Sequence, residues 1–175
     1  MPAAPAHRYL IALGSNQRHA RYGPPRRVLA AALERLAAEG VRVIAVAAVI
    51  ETAPVGPSIR RYANSAAVIE TALDPEALLA LLKRIECEFG RRPGGQRWRA
   101  RVLDLDVVLW SGGPFASAAL TIPHPLFRER AFVLTPADAI APDWRDPLTG
   151  LTVRQLHARL TGPRPLPKRA PGEGP

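Results

Sequence analysis

The chain has 175 residues, 47% of them apolar and 22% charged, which suits one domain with a full hydrophobic core and is short for two. A single cysteine, Cys87, excludes an internal disulfide and a cysteine-based zinc site, and no run of about 18 apolar residues marks a membrane span. The formal charge of +9 favours anionic partners without choosing among a nucleic acid, a nucleotide and a membrane surface.

The opening stretch "MPAAPAHRYLIALGSN" has no charged segment leading into a long apolar one, so no secretory signal is expected and a reducing cytoplasm is the default compartment. Residues 8–14, "RYLIALG", read as a buried strand ending at a Gly-Ser-Asn turn. Pro24 and Pro25 then suit a helix start, with Leu29, Leu33 and Leu36 at helical spacing before Gly40. Residues 41–50, "VRVIAVAAVI", predict a second strand, and the breaker-rich "ETAPVGPSIRR" a loop. A third strand follows over 62–71, with Tyr62, Asn64, Ala66 and Val68 on one face.

Asp74 and Pro75 mark the start of a second helix with an apolar stripe of Leu78, Leu81, Leu82, Ile85 and Phe89, ending at Gly90. Cys87 lies in this pattern and reads as a passive helix or core thiol. Five arginines crowd residues 91–101 (Arg91, Arg92, Arg97, Arg99, Arg101) ahead of a fourth strand at about 102–110. A short helix near 128–138 and an amphipathic helix in "LTVRQLHARL" follow. With no repeat and no interior linker, residues 1–161 are expected to form one domain and the Pro/Gly-rich 162–175 a disordered tail. The order β-α-β-β-α-β predicts an α+β, ferredoxin-like fold: an antiparallel sheet with helices on one face and a C-terminal helical extension.

The chemistry concentrates in "RWRARVLDLDVVLW", residues 97–110. On a strand, Asp104 and Asp106 project to the same side about 6.5–7 Å apart, leaving Leu103, Leu105, Val107 and Leu109 to fill the core on the other. Two carboxylates without cysteine or paired histidine suit Mg²⁺, which keeps waters and takes further oxygens from phosphates. Guanidinium forks match phosphate oxygens, so "GRRPGGQRWRAR" reads as a phosphate clamp. A structural ion network between these aspartates and arginines is the plain alternative. His124 in "TIPHPLFRER", Arg130 and Phe132 carry no signal taken singly: a loop histidine, a helix-surface charge and a core aromatic.

"ALGSN", "ETAPVG", "YANSAAVIET", "RIECEFGR", "RWRARVLDLDVVLW" and "TIPHPLFRERAFVL" resemble, in order and spacing, the 6-hydroxymethyl-7,8-dihydropterin pyrophosphokinase family over about residues 8–145. The combination of Leu-Asp-Leu-Asp with Pro-His and Arg-x-Phe downstream is specific where no single piece is. The resemblance implies a ferredoxin-like core and a Mg²⁺-dependent transfer of pyrophosphate from ATP to the dihydropterin's hydroxymethyl group, with AMP released, in folate biosynthesis. It implies Asp104 and Asp106 as ligands of two Mg²⁺ ions, and Tyr62 and Phe132 as the faces of a pterin sandwich. Asn64 would bond the pterin's polar edge, with further contacts from Thr52, Pro54, Val55 and Gly56. Arg91, Trp98 and Arg101 would be the catalytic loop closing over the phosphates, and Glu86, Val107, Thr121, His124 and Arg130 would line the nucleotide.

Such an enzyme is expected to act as a cytoplasmic monomer on small molecules, without nucleic acid or membrane. The sequence departs from the family where Trp98-Arg99-Ala100-Arg101 replaces the usual Trp-Gly-Pro-Arg and where Pro93 stands in place of a loop arginine. "TAPVG" replaces "TPPLG" but keeps Thr52, Pro54 and Gly56. Two other classes fit parts of the sequence. A ferredoxin-like RNA-binding module would explain the charge, though an Asp-x-Asp without metal repels phosphate. A metal-dependent nucleotidyl transferase would release a different product.

Overall fold

Strand β1 (His7–Ser15) is the spine of the protein because it is buried on both faces. Its odd residues Tyr9, Ile11 and Leu13 enter one core and Leu10 enters another, the period-two signature of a strand covered on both sides. The computed structural model describes residues 6–53, 61–90 and 102–163. After β1 come α1 (Pro25–Ala38), β2 (Arg42–Val46), β3 (Ile50–Thr52), β4 (Tyr62–Thr71), α2 (Pro75–Glu88) and β5 (Asp104–Trp110). A hairpin of two-residue strands, β6 (Phe115–Ala116) and β7 (Thr121–Ile122), leads to a 3₁₀ turn (Phe127–Glu129), α3 (Ala131–Ile140) and α4 (Val153–Thr161).

The sheet runs β2-β4-β1-β5, antiparallel throughout, with β3 also paired to the start of β4. That is the strand order of the ferredoxin-like split βαβ fold. Helices α1 and α2 cover the first face through Val28, Leu29, Ala32, Leu36, Leu78, Leu82 and Ile85. Asp74 caps α2 by accepting from the Ala77 N–H at 2.8 Å, as its place before Pro75 predicts. Gly40 and Gly90 follow α1 and α2 with φ of 81° and 97°, left-handed conformations that favour glycine.

Four expectations are corrected. Helices cover both faces: α3 and α4 of the C-terminal extension pack on the second one through Val133, Leu134, Ala137, Val153 and Leu156, because its Leu10, Ala66, Val68 and Leu109 need burial as well. The strand predicted over 41–50 breaks after Val46, and β3 resumes at Ile50. The helix expected near 128–138 is a 3₁₀ turn followed by α3. Leu109 does not share a face with Leu103, Leu105 and Val107. The β1–β5 register pairs Leu10 with Leu109 but Ile11 with Val107, so Val108 is the extra residue of a β-bulge. Both Val108 and Leu109 then enter the second core. Cys87 is helical as expected, but exposed.

Candidate active site

The second sheet face changes character along the strands. One row across it reads Leu109–Leu10–Val68, the next Asp106–Ala12–Ala66, and the last Asp104–Gly14–Asn64. The apolar row lies under α3, whereas Asp104, Gly14 and Asn64 form its polar end. Each aspartate is thus placed by hydrogen-bonded pairing with β1, and the alternation of β5 directs both carboxylates to the same side.

Asn64 is buried at 6% exposure, and its Nδ2 donates to Thr52 Oγ1 at 2.8 Å. That bond exists because β3 pairs Thr52 with Tyr62 and Ile50 with Asn64. Tyr62 begins β4 on the same side of the strand as Asn64 and is half-buried. Helix α3 packs across β4 and β3 and brings Phe132 to this face, with the Arg130 guanidinium 5.6 Å from the centre of its ring.

His124 reaches the aspartates from the loop after β7. Its backbone N–H donates to the carbonyl of Val108 at 3.0 Å, so the bulge in β5 tethers it. Its Nδ1 accepts from the Leu126 N–H at 3.2 Å, and its Nε2 lies 4.0 Å from Asp106 Oδ2. Burial lowers the imidazole pKa below its ordinary value. Asp106 and Asp104 pull it up and Arg130 adds to the lowering, and the net direction is down. The neutral ring therefore accepts at Nδ1 and carries its proton on Nε2, towards Asp106. Asp106, Asp104, Arg130 and His124 are in this way one electrostatic group.

Glu86 projects from α2 and is wholly buried. Its Oε1 accepts from the Leu105 N–H at 2.7 Å and from Lys83 Nζ at 2.9 Å, and the same ammonium donates to the Leu105 carbonyl at 3.3 Å. Val107 is buried in the helix-side core, so its side chain faces away from the aspartates. Thr121 is exposed in β7, beside β5. The structure thus brings Asp104, Asp106, His124 and Arg130 together, joins Asn64 to Thr52 with Tyr62 alongside, and sets Phe132 on the same face. Pro54, Val55, Gly56, Arg91, Trp98 and Arg101 lie outside the described residues, as does the tail beyond residue 163. Sequence reasoning missed Gly14, which it read as the start of a turn. A glycine inside a strand signals close approach across the sheet, and that mark was present.

The carboxylate pair suits a hard cation. No cluster of three or more His, Cys, Asp or Glu side chains able to hold a metal occurs among the described residues. The donor set is then two oxygen ligands, which fits Mg²⁺ completing its shell with water and phosphate and does not fit a zinc centre.

A family model described as 7,8-dihydro-6-hydroxymethylpterin-pyrophosphokinase (HPPK) matches residues 10–142. The chain is 40% identical over 155 residues to the 2-amino-4-hydroxy-6-hydroxymethyldihydropteridine pyrophosphokinase of Methylorubrum extorquens, covering 87% of this chain and 93% of that one. It is 36% identical over 151 residues to the enzyme of the same name from Synechocystis, covering 86% and 74%. Among solved structures it resembles Plasmodium falciparum HPPK-DHPS with pteroate, at a TM-score of 0.66 and 13% identity over 89% of this chain. The wild-type protein with SDX-DHP gives 0.69 and 13% over 91%. These likenesses support the fold, and the chain spans 42% and 45% of those longer structures. On the family match and the two long, closely covered relatives, the chain belongs to the 6-hydroxymethyl-7,8-dihydropterin pyrophosphokinase family.

Proposed function

We propose that the polar end of the second sheet face is where this chain does the chemistry of its family, with Asp104 and Asp106 as Mg²⁺ ligands. The reaction is the transfer of pyrophosphate from ATP to the hydroxymethyl group of 6-hydroxymethyl-7,8-dihydropterin, in folate biosynthesis. By atom balance, the substrate oxygen bonds to the β-phosphorus as the bond from that phosphorus to the α–β bridging oxygen breaks. AMP leaves, and the hydroxyl proton is released. When bound, Mg²⁺ supplies charge neutralisation for the triphosphate, and the reading takes two such ions.

This chain's own residues supply position. The row Asp104–Gly14–Asn64 carries the reading, because it sets a metal-type carboxylate and a buried amide on the two sides of a residue that has no side chain. Asn64, oriented by Thr52, meets the polar edge of the pterin, and Tyr62 and Phe132 hold its faces. Arg130, His124 and Thr121 line the phosphate and nucleotide side. Val107 contributes there through its backbone, and Glu86 acts from behind β5. Pro54, Val55 and Gly56 extend the pterin pocket, while Arg91, Trp98 and Arg101 close over the phosphates. Charge neutralisation and alignment are most of what a phosphoryl transfer needs. We read the enzyme as a cytoplasmic monomer; an exposed lone thiol at Cys87 is in keeping with a reducing compartment.

Incubation with ATP, Mg²⁺ and the dihydropterin is expected to yield one AMP per pyrophosphorylated pterin. Asp104→Asn and Asp106→Asn should each lower kcat about 100-fold or more with unchanged circular dichroism. Near wild-type turnover in either variant would remove the metal assignment.

A further inference from the structure

Among the described residues strand β5 is an edge strand, paired in the sheet with β1 on one side only. In an antiparallel ladder, alternate residues turn their N–H and C=O towards and away from the neighbour. Leu105 turns both away from β1, and at that open edge it meets two side chains of α2: Glu86 Oε1 takes its N–H at 2.7 Å and Lys83 Nζ takes its C=O at 3.3 Å. The two side chains, three residues apart on the helix, are joined to each other at 2.9 Å. Together they offer Leu105 an acceptor and a donor, as a neighbouring strand would.

We propose that Lys83 and Glu86 are positioning residues that act as a substitute strand and fix the pitch of the Asp104/Asp106 pair. Three observations carry this. The residue held is the one between the two aspartates, so rotation about the strand axis at Leu105 would swing both carboxylates. The aspartates share a face and repel one another, and three residues along from Leu105 the ladder already breaks into a bulge at Val108, so pairing with β1 alone does not keep this strand regular. An edge N–H can be satisfied by water, whereas Glu86 is a carboxylate with no exposed surface. A carboxylate buried this way is held by charged and hydrogen-bonding partners, and here two of them, the Leu105 N–H and Lys83 Nζ, lie at the strand edge itself. The inference rests on Asp104 and Asp106 being the metal ligands, and outer-shell partners of this kind typically govern metal affinity about 10–100-fold.

The test uses Mn²⁺ with α,β-methylene-ATP, which cannot be cleaved at the bond the enzyme breaks, together with amide exchange at Leu105. Glu86→Leu is expected to weaken binding of the metal–nucleotide about 10–100-fold and to speed exchange at Leu105. The KM for the dihydropterin should stay near wild type, because Thr52, Tyr62 and Asn64 lie on β3 and β4, across β1 from this edge. Glu86→Gln, whose amide oxygen still accepts from Leu105, should recover most of the affinity and the slow exchange. Lys83→Met, at a half-exposed position, should weaken metal–nucleotide binding in the same direction and carries the test if the leucine variant does not fold. Unchanged affinity or unchanged Leu105 exchange in these variants overturns the proposal. So does an equal loss for pterin and nucleotide, or a glutamine variant as weak as leucine. Asp106→Asn is the control: if it binds the metal–nucleotide normally, the ligand assignment fails, whereas exchange at Leu105 still reports on Glu86 alone.

Discussion

A Cβ built on Gly14 would sit 3.4 Å from Asn64 Oδ1 and 4.0 Å from the Cβ of Asp104. An alanine there makes ordinary contacts, but a branched side chain fills the space between amide and carboxylate. Gly14→Val is therefore expected to fold, since valine favours strands, and to lose about 10–100-fold in kcat/KM for the dihydropterin. Steady-state kinetics beside a circular dichroism spectrum would check this, and an unchanged kcat/KM would place the pterin away from this row. At the same scale, the aspartates, Asn64 and Tyr62 were legible as same-face pairs because strand alternation is a strict rule. Gly14 was harder, because glycine before Ser-Asn looks like punctuation until the register shows it between two paired strands. Glu86 was named through the resemblance as a nucleotide residue, but its bond to β5 was hidden, because a helix position between Ile85 and Cys87 does not reveal that it reaches the edge of a sheet.

At the scale of elements, the 3₁₀ turn that leads into α3 is held by a buried ion pair. Asp146 has no exposed surface, and its two oxygens accept from Arg128 Nε at 2.7 Å and the second guanidinium nitrogen at 2.8 Å. The Thr149 hydroxyl adds a bond at 2.6 Å and the Leu148 N–H one at 3.1 Å. Burial pushes the Asp146 carboxyl up, but Arg128 and these neighbours outweigh it, and the net pKa falls below the ordinary carboxylate value. In acid the unfolded chain then binds the proton more readily than the folded one, so this contribution is full above about pH 4 and fades as pH falls further. Asp146→Asn should cost about 3 kcal/mol at neutral pH, the low end for breaking a buried pair, because Arg128 keeps some access to water. Urea unfolding at pH 7 and at pH 3 would show the gap from wild type narrowing; a constant gap would count against the carboxylate as its source. Elements with strong periodicity or caps, such as β1, β4 and the Asp74–Pro75 start of α2, were readable in sequence. The β6–β7 hairpin was not, because two-residue strands have no period, and neither was the bulge, because "VVLW" is apolar on whichever face each residue lands.

For the whole molecule, a chain of charge +9 carries two carboxylates side by side at the place proposed above for the triphosphate. Nucleotide and metal should therefore stabilise the fold jointly. At a ligand concentration 100 times its Kd the linkage is about 2.7 kcal/mol, which for a protein of this size raises Tm by about 5–10 °C. Differential scanning fluorimetry with Mg²⁺ and α,β-methylene-ATP should show that rise, and the nucleotide with chelator only a small part of it. An equal rise in chelator would mean that arginines alone hold the triphosphate. The family's general architecture was visible in the sequence at this scale. The covering of the second face was not, since an amphipathic helix such as α4 does not state which surface it will meet.

The bulge in β5 has one more consequence. Removing Val108 would make the strand perfectly alternating: Val107 towards α1 and α2, Leu109 into the second core, Trp110 back to the first side, with every face correct and the ladder to β1 unbroken. A chain shortened in that way would satisfy each rule of strand design and still be deficient, because the carbonyl that accepts the His124 N–H would be gone. The site thus constrains how many residues the strand contains as well as which ones they are, and a one-residue deletion that looks like a repair would cut the imidazole loose from Asp106.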